Sequence, residues 1–163
     1  GLVAPDPVDP ILEARDMHPD AGDLEPHRAA IARCFSAGSV EEILSRLQAE
    51  GGQAHVWAQE VLKDLAARSP TSLKITYRHV RNAKALDLQQ TLQADFRLAV
   101  RCMEGHDFAE GVRASLIERD RNPRWQPSRL EDVTQAAVES YFAPLDRGEL
   151  GLASRAEMQA PRP

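Results

Sequence analysis

The 163-residue chain has two cysteines, Cys34 and Cys102, too few for a disulfide framework and without metal-site spacing. Both fall in helical apolar patterns, where a free thiol behaves as a small hydrophobe. No run of 18 apolar residues occurs, so no membrane-spanning helix is expected. Positive charge is not in excess: 20 Lys+Arg stand against 25 Asp+Glu, for a net charge of −5. That balance argues against a chain built mainly to bind nucleic acid. The first residues, Gly1-Leu2-Val3-Ala4-Pro5-Asp6, lack the basic region and apolar core of a secretory signal. With unpaired cysteines, this makes a reducing cytoplasm the expected location.

The signatures of self-contained catalysis are missing too. There is no glycine-rich phosphate loop and no Gly-x-Ser-x-Gly elbow. The histidines (His18, His27, His55, His79, His106) share no His-x3-His spacing, so a metal site is not expected. Glu41-Glu42 and Glu131-Asp132 are adjacent carboxylates, but neighbouring helix positions point in different directions. The helix dipole alone accounts for acids in a first turn.

What is present is a hydrophobic content of 42%, enough for one domain with a real core. Charge and proline mark a boundary. Residues 1–27 hold seven acids against Arg15 alone, and five of the eleven prolines. Proline fixes φ and removes a donor, so long regular structure is excluded there. Residues 1–24 read as an acidic, Pro-rich arm or linker, with a short helical turn from Pro10 to Arg15. Residues 25–147 read as a helical domain and 148–163 as a frayed tail.

Inside the domain the period is helical almost everywhere, and no sustained alternation announces a strand. A first helix runs from Leu24–Pro26 to about Phe35. Ser39-Val40-Glu41-Glu42 is a capping box opening a second helix, with Ile43, Leu44 and Leu47 inward. A third, from His55 to Arg68, places Trp57, Ala58, Val61, Leu62 and Leu65 on one face. Ser69 caps a fourth, with Pro70 at its first position. Asp87 opens the longest, whose apolar positions Leu88, Leu92, Phe96, Ala99 and Met103 recur every three or four residues. Asp107-Phe108-Ala109-Glu110 has the form of another capping box, with Phe108, Val112 and Leu116 inward. Ser128 and Glu131 open a last helical pair ending near Phe142. The expected fold is all-α: an array of six or seven short-to-medium helices with Trp57, Phe96, Phe108, Leu116 and Trp125 largely buried. The basic cluster Arg119, Arg121, Arg124 has two readings: a helix end complementing its dipole over a packed Trp125, or a phosphate contact.

Three stretches carry a family resemblance: Cys34-Phe35-Ser36 with Ser39 to Ile43; Ser69 to Lys74; and Gly105-His106-Asp107-Phe108-Ala109-Glu110-Gly111-Val112-Arg113-Ala114, continued by Leu116 to Asp120 and Asn122 to Pro127. They resemble the C-terminal part of the 3-hydroxyisobutyryl-CoA hydrolases, in the enoyl-CoA hydratase/isomerase (crotonase) superfamily, from about Glu25 to Phe142. The resemblance implies a C-terminal fragment lacking the spiral core that binds coenzyme A and supplies the oxyanion hole and catalytic carboxylates. It also implies no catalytic residue here, and Arg119 as the residue that approaches the phosphates of bound CoA. Asp107, Glu110 and Arg113 are expected to cap and brace helices. No cofactor is expected, since acyl-CoA is the parent enzyme's substrate. The expected partners are the missing core and, for an uncovered apolar face, a second copy. Two alternatives stay open: a fragment of an enoyl-CoA hydratase or isomerase, and a non-catalytic helical interaction module.

Overall fold

A computed structural model describes Ala14–Arg15 and residues 22–152. The expected turn over Pro10–Arg15 lies largely outside the described residues, as does the tail from residue 153. Among the described residues, seven α-helices occur in order: α1 (Arg28–Phe35), α2 (Val40–Ala49), α3 (His55–Ala66), α4 (Pro70–Ala83), α5 (Leu88–Glu104), α6 (His106–Val112) and α7 (Gln135–Phe142). Single 3-10 turns precede α1 and α3, and a π-helical turn, Arg113–Ile117, continues α6. The described residues contain no strand, as the all-α expectation requires.

Local capping starts α2, α4 and α5 where the sequence indicates. Ser39 Oγ accepts from the Glu42 amide at 3.1 Å, and Ser69 Oγ does the same for Ser72. Glu42 reaches one residue further back than a capping box requires, to the Gly38 amide at 2.7 Å. Asp87 forms a full capping box with Gln90.

Two cores result. Cys34, Ala37, Ile43, Leu47 and Ala58 are buried together between α1, α2 and α3, with Trp57, Val61, Leu62 and Leu65 packed around them. Ile75, Leu98, Val133 and Val138 form the second, flanked by Tyr141 and Phe142. Helix α4 joins them: Ile75 enters the second core, while the Tyr77 hydroxyl donates to Ala37 O beside the first. Arg81 donates to Phe35 O and Ala37 O, satisfying carbonyls left over at the end of α1.

The C-terminal half departs from the sequence reading in three ways. The apolar stripe of α5 faces outward: Leu88 is 76% exposed and Met103 67%, while Leu98 is the buried position. Helix α5 packs on α6 and α7, and that side selects a different face from the strongest apolar repeat. Phe108 and Leu116 are likewise exposed, not buried: Phe108 borders an open cleft, and Leu116 falls in the π turn, which rotates it away from the α-helical register of α6. Trp57, Phe96 and Trp125 are half-buried. Finally, Ser128 caps nothing: Leu130–Asp132 is a lone 3-10 turn, and Thr134 caps α7 by accepting from Ala137 at 3.1 Å. Part of the segment expected to fray runs along α5, where Gln89 donates to Leu152 O and Arg97 pairs with Glu149.

Candidate functional site

The longest family-like stretch, Gly105 to Pro127, folds into α6, the π turn and an irregular loop lying against the ends of α3, α4 and α5. Asp107 has the sequence position of an N-cap, yet α6 begins one residue earlier, at His106, with Gly105 before it. The Asp107 carboxylate is spent elsewhere. It accepts from Ser69 Oγ at 2.5 Å, from the Gln126 amide at 2.8 Å and from His106 Nδ1 at 3.1 Å. A serine, an aspartate and a histidine thus meet, in the wrong order for nucleophilic catalysis. Activation needs the imidazole on the hydroxyl; here the carboxylate separates them, and Ser69 also caps α4.

Glu110 and Arg113 form the second clamp. Arg113 grips Glu110 through two bonds of 2.7 and 2.8 Å, and Glu110 also accepts from the Arg124 amide at 2.7 Å. The hydrogen bonds from Arg113, followed by that amide, push the Glu110 carboxyl down to about 2. Arg113 continues to Glu118 at 2.5 Å, Asp120 at 2.8 Å and Asn122 O at 3.2 Å. The bracing role expected of Asp107, Glu110 and Arg113 is thus visible in the contacts. Trp125 completes the attachment: its indole N–H donates to Ala67 O at 3.0 Å, at the end of α3. The ring lies over Gly111, where an added Cβ would sit 3.4 Å from Trp125 Cη2.

Between these clamps and the helix ends lies a cleft of about 750 Å³, with Phe108, Val112, Ser115 and Trp125 on one side and Ile75, Cys102 and Tyr141 on the other. Burial pushes the Cys102 thiol up; burial, then the charges of Cys102 and Asp107, pushes the Tyr141 hydroxyl up. Neither is poised to lose its proton near neutrality, so the cleft offers binding surface rather than a ready nucleophile. Among the described residues, no group of three His, Cys, Asp or Glu is placed to hold a metal ion.

Arg119 is exposed at the tip of the loop, its Nε donating to Leu116 O at 3.2 Å. Both Arg119 and Arg121 adopt left-handed backbone, with φ of 57° and 53°, which costs a non-glycine residue of order 1–3 kcal/mol. Arg121 lines the cleft, and its amide reaches back to Ala114 O at 3.0 Å. Among the described residues no carboxylate pairs with Arg119, Arg121 or Arg124. The link between Ser69 and Asp107, 38 residues apart, had no signal in the sequence. A capping-box spelling at Asp107 and Glu110 concealed it.

The enoyl-CoA hydratase/isomerase family model matches residues 5–142. The chain belongs to this family. The match takes in most of the acidic segment, which the three family-like stretches leave out. Among curated relatives, the chain is 43% identical over 129 residues to the mitochondrial 3-hydroxyisobutyryl-CoA hydrolase of Danio rerio, covering 79% of this chain and 33% of that protein. The Homo sapiens protein of the same name is 44% identical over 127 residues, covering 78% and 32%. The chain thus spans about a third of the length of these crotonase relatives. Among solved structures, a carnitinyl-CoA dehydratase from Mycobacterium thermoresistibile superposes with a TM-score of 0.78 at 38% identity, over 90% of this chain and 41% of that one. An enoyl-CoA hydratase from Rhodobacter sphaeroides gives 0.71 at 32% identity, over 85% and 42%. The cytoplasmic location expected from the sequence is overturned by the mitochondrial names of the crotonase-family relatives. Free thiols fit any reducing compartment, of which the cytoplasm is one.

Proposed function

We propose that this chain is the C-terminal helical part of an acyl-CoA thioester hydrolase whose substrate is 3-hydroxyisobutyryl-CoA. The observation that carries the reading is the identity of 43% over 129 residues to a hydrolase of that name. The whole crotonase-fold enzyme works in mitochondria in this reading. Its remaining polypeptide supplies the oxyanion donors and the general acid/base that thioester hydrolysis needs. The chemistry of the cleft supports that division, since Asp107 is consumed in clamping and Cys102 and Tyr141 hold their protons.

Arg119 supplies a cation to the nucleotide phosphates of CoA. A guanidinium suits phosphate oxygens, and the loop holds this one at its exposed tip. One exposed arginine binds weakly by itself, so CoA affinity requires the rest of the protein. The outward stripe of α5 is the face on which that polypeptide packs. Relatives three times as long as the matched region have the chain to cover it, and exposed apolar patches are otherwise sites of association. Self-pairing through the same stripe is the competing outcome, read by sedimentation of the 163-residue chain alone.

The decisive experiment compares turnover of 3-hydroxyisobutyryl-CoA by this chain and by the complete gene product. The expected result is activity in the complete protein only. Enzyme-like turnover by the isolated chain refutes the division of labour. The dehydratase and hydratase among the structural neighbours favour a second reading, hydration of an enoyl-CoA. Activity of the complete protein on an enoyl-CoA but not on the hydroxyacyl thioester establishes that reading instead.

A further inference from the structure

Arg113 engages all five N–H donors of its guanidinium: Nε and one Nη2 hydrogen on Glu110, the other Nη2 hydrogen on Asn122 O, and the two Nη1 hydrogens on Glu118 and Asp120. It has no donor left for a ligand. Its contacts bracket the two strained residues: Glu118 precedes Arg119, Asp120 stands between Arg119 and Arg121, and Asn122 comes after. Left-handed backbone at two arginines in three residues persists only where surrounding contacts over-determine it. The side-chain contacts that span both residues come from Arg113, itself fixed to α6 by the two-bond grip of Glu110, beside the bonds of the Arg121 amide to Ala114 O and of Arg119 Nε to Leu116 O. Asp120 adds one local restraint, accepting from the Asn122 amide at 2.9 Å.

We propose that Arg113 is a positioning residue that presents Arg119 and Arg121 to the nucleotide phosphates of CoA. The inference rests on the role proposed for Arg119 and adds two elements to it. Arg121, at the cleft rim, becomes a second phosphate-facing cation. Arg113 also offsets part of the negative charge of Glu110, Glu118 and Asp120, three carboxylates that repel a phosphate approaching the loop. Losing Arg113 therefore releases the strained backbone and uncovers negative charge beside it.

The test is calorimetric binding of CoA and of pantetheine, which lacks the nucleotide phosphates, to the complete gene product and its variants. Arg113→Met is expected to weaken CoA about tenfold while leaving pantetheine within twofold. Arg113→Lys, which keeps the charge but cannot hold five acceptors in a planar fork, moves the same ratio in the same direction by less, and decides the matter if Arg113→Met does not fold. Arg119→Ala and Arg121→Ala serve as references for direct phosphate contact. An unchanged CoA-to-pantetheine ratio in the Arg113 variant, alongside a reduced one in the Arg119 variant, overturns the inference and spares the role of Arg119. If neither Arg119→Ala nor Arg113→Met alters the ratio, both fall together.

Discussion

The two halves of this molecule are held by different physics. Between α1, α2 and α3 the core is apolar and made of neighbours in sequence, with Leu47 fully buried and Ala58 beside it. Around α6 and the loop to Pro127, few large side chains are buried, and attachment depends on carboxylates: Asp107 and Glu110 accept from backbone amides at Gln126 and Arg124. Dispersion and desolvation secure the first half, whereas charge-assisted hydrogen bonds secure the second. A polar clamp fixes a loop whose apolar surroundings are open on one side, as Phe108, Leu116 and Ile117 are. It also makes that loop responsive to pH and to single polar substitutions.

The largest expected effect tests the apolar half. Leu47→Ala should cost about 3 kcal/mol in denaturant unfolding, the usual loss when a fully buried leucine leaves a cavity. A cost below about 1 kcal/mol would mean that the core there collapses freely.

Ser69→Ala comes next, at about 1–2 kcal/mol, because it removes the cap of α4 and leaves Asp107 without its hydroxyl donor. Reversion of most of that loss by Ser69→Thr, which retains both bonding roles, would assign it to the hydroxyl rather than to packing.

Acid should separate the two halves. The Glu110 carboxyl sits at about 2 in the folded protein against 4.5 ordinarily, so its contribution is complete above about 4.5 and drains away as pH falls towards 2. Fluorescence of Trp125, read in a Trp57→Phe background, should change in that window before far-ultraviolet helicity is lost. Simultaneous loss of both signals would show that the clamp and the helices melt as one unit.

The smallest effect is expected on the outward stripe. Leu88→Ala should shift stability of the isolated chain by no more than about 0.5 kcal/mol, because the side chain is already 76% exposed. A loss comparable with that of Leu47→Ala would mean that a second copy covers α5 in solution, and its dependence on protein concentration would prove it.

The sequence was most legible where partners are local. Ser39, Ser69 and Asp87 each accept from an amide three residues on, so the start of a helix could be read within four letters. The face of α3 carrying Trp57, Val61, Leu62 and Leu65 was equally readable, because its stripe meets the helix just before it. The same rules misassigned Asp107, whose acceptor oxygens are claimed by Ser69 and Gln126, and Ser128, whose capping role falls to Thr134. Of the candidate site, the bracing residues and Arg119 were visible through the family resemblance. The partnership with Ser69, the left-handed pair and the cleft position of Arg121 were not.

Composition and period by themselves determined that this chain is helical, where most of its helices begin, and which residues its first core contains. Those properties depend on interactions within one or two turns, or between helices joined by short loops. Only the tertiary structure decided which side of α5 is covered, because an amphipathic stripe specifies an apolar face without specifying what meets it. It also decided that Arg113, with five donors on five acceptor oxygens of four residues from Glu110 to Asn122, fixes the arginine loop. Each of those acceptors has several other partners within reach in the unfolded chain, and the choice among them is made only when the loop closes onto α6.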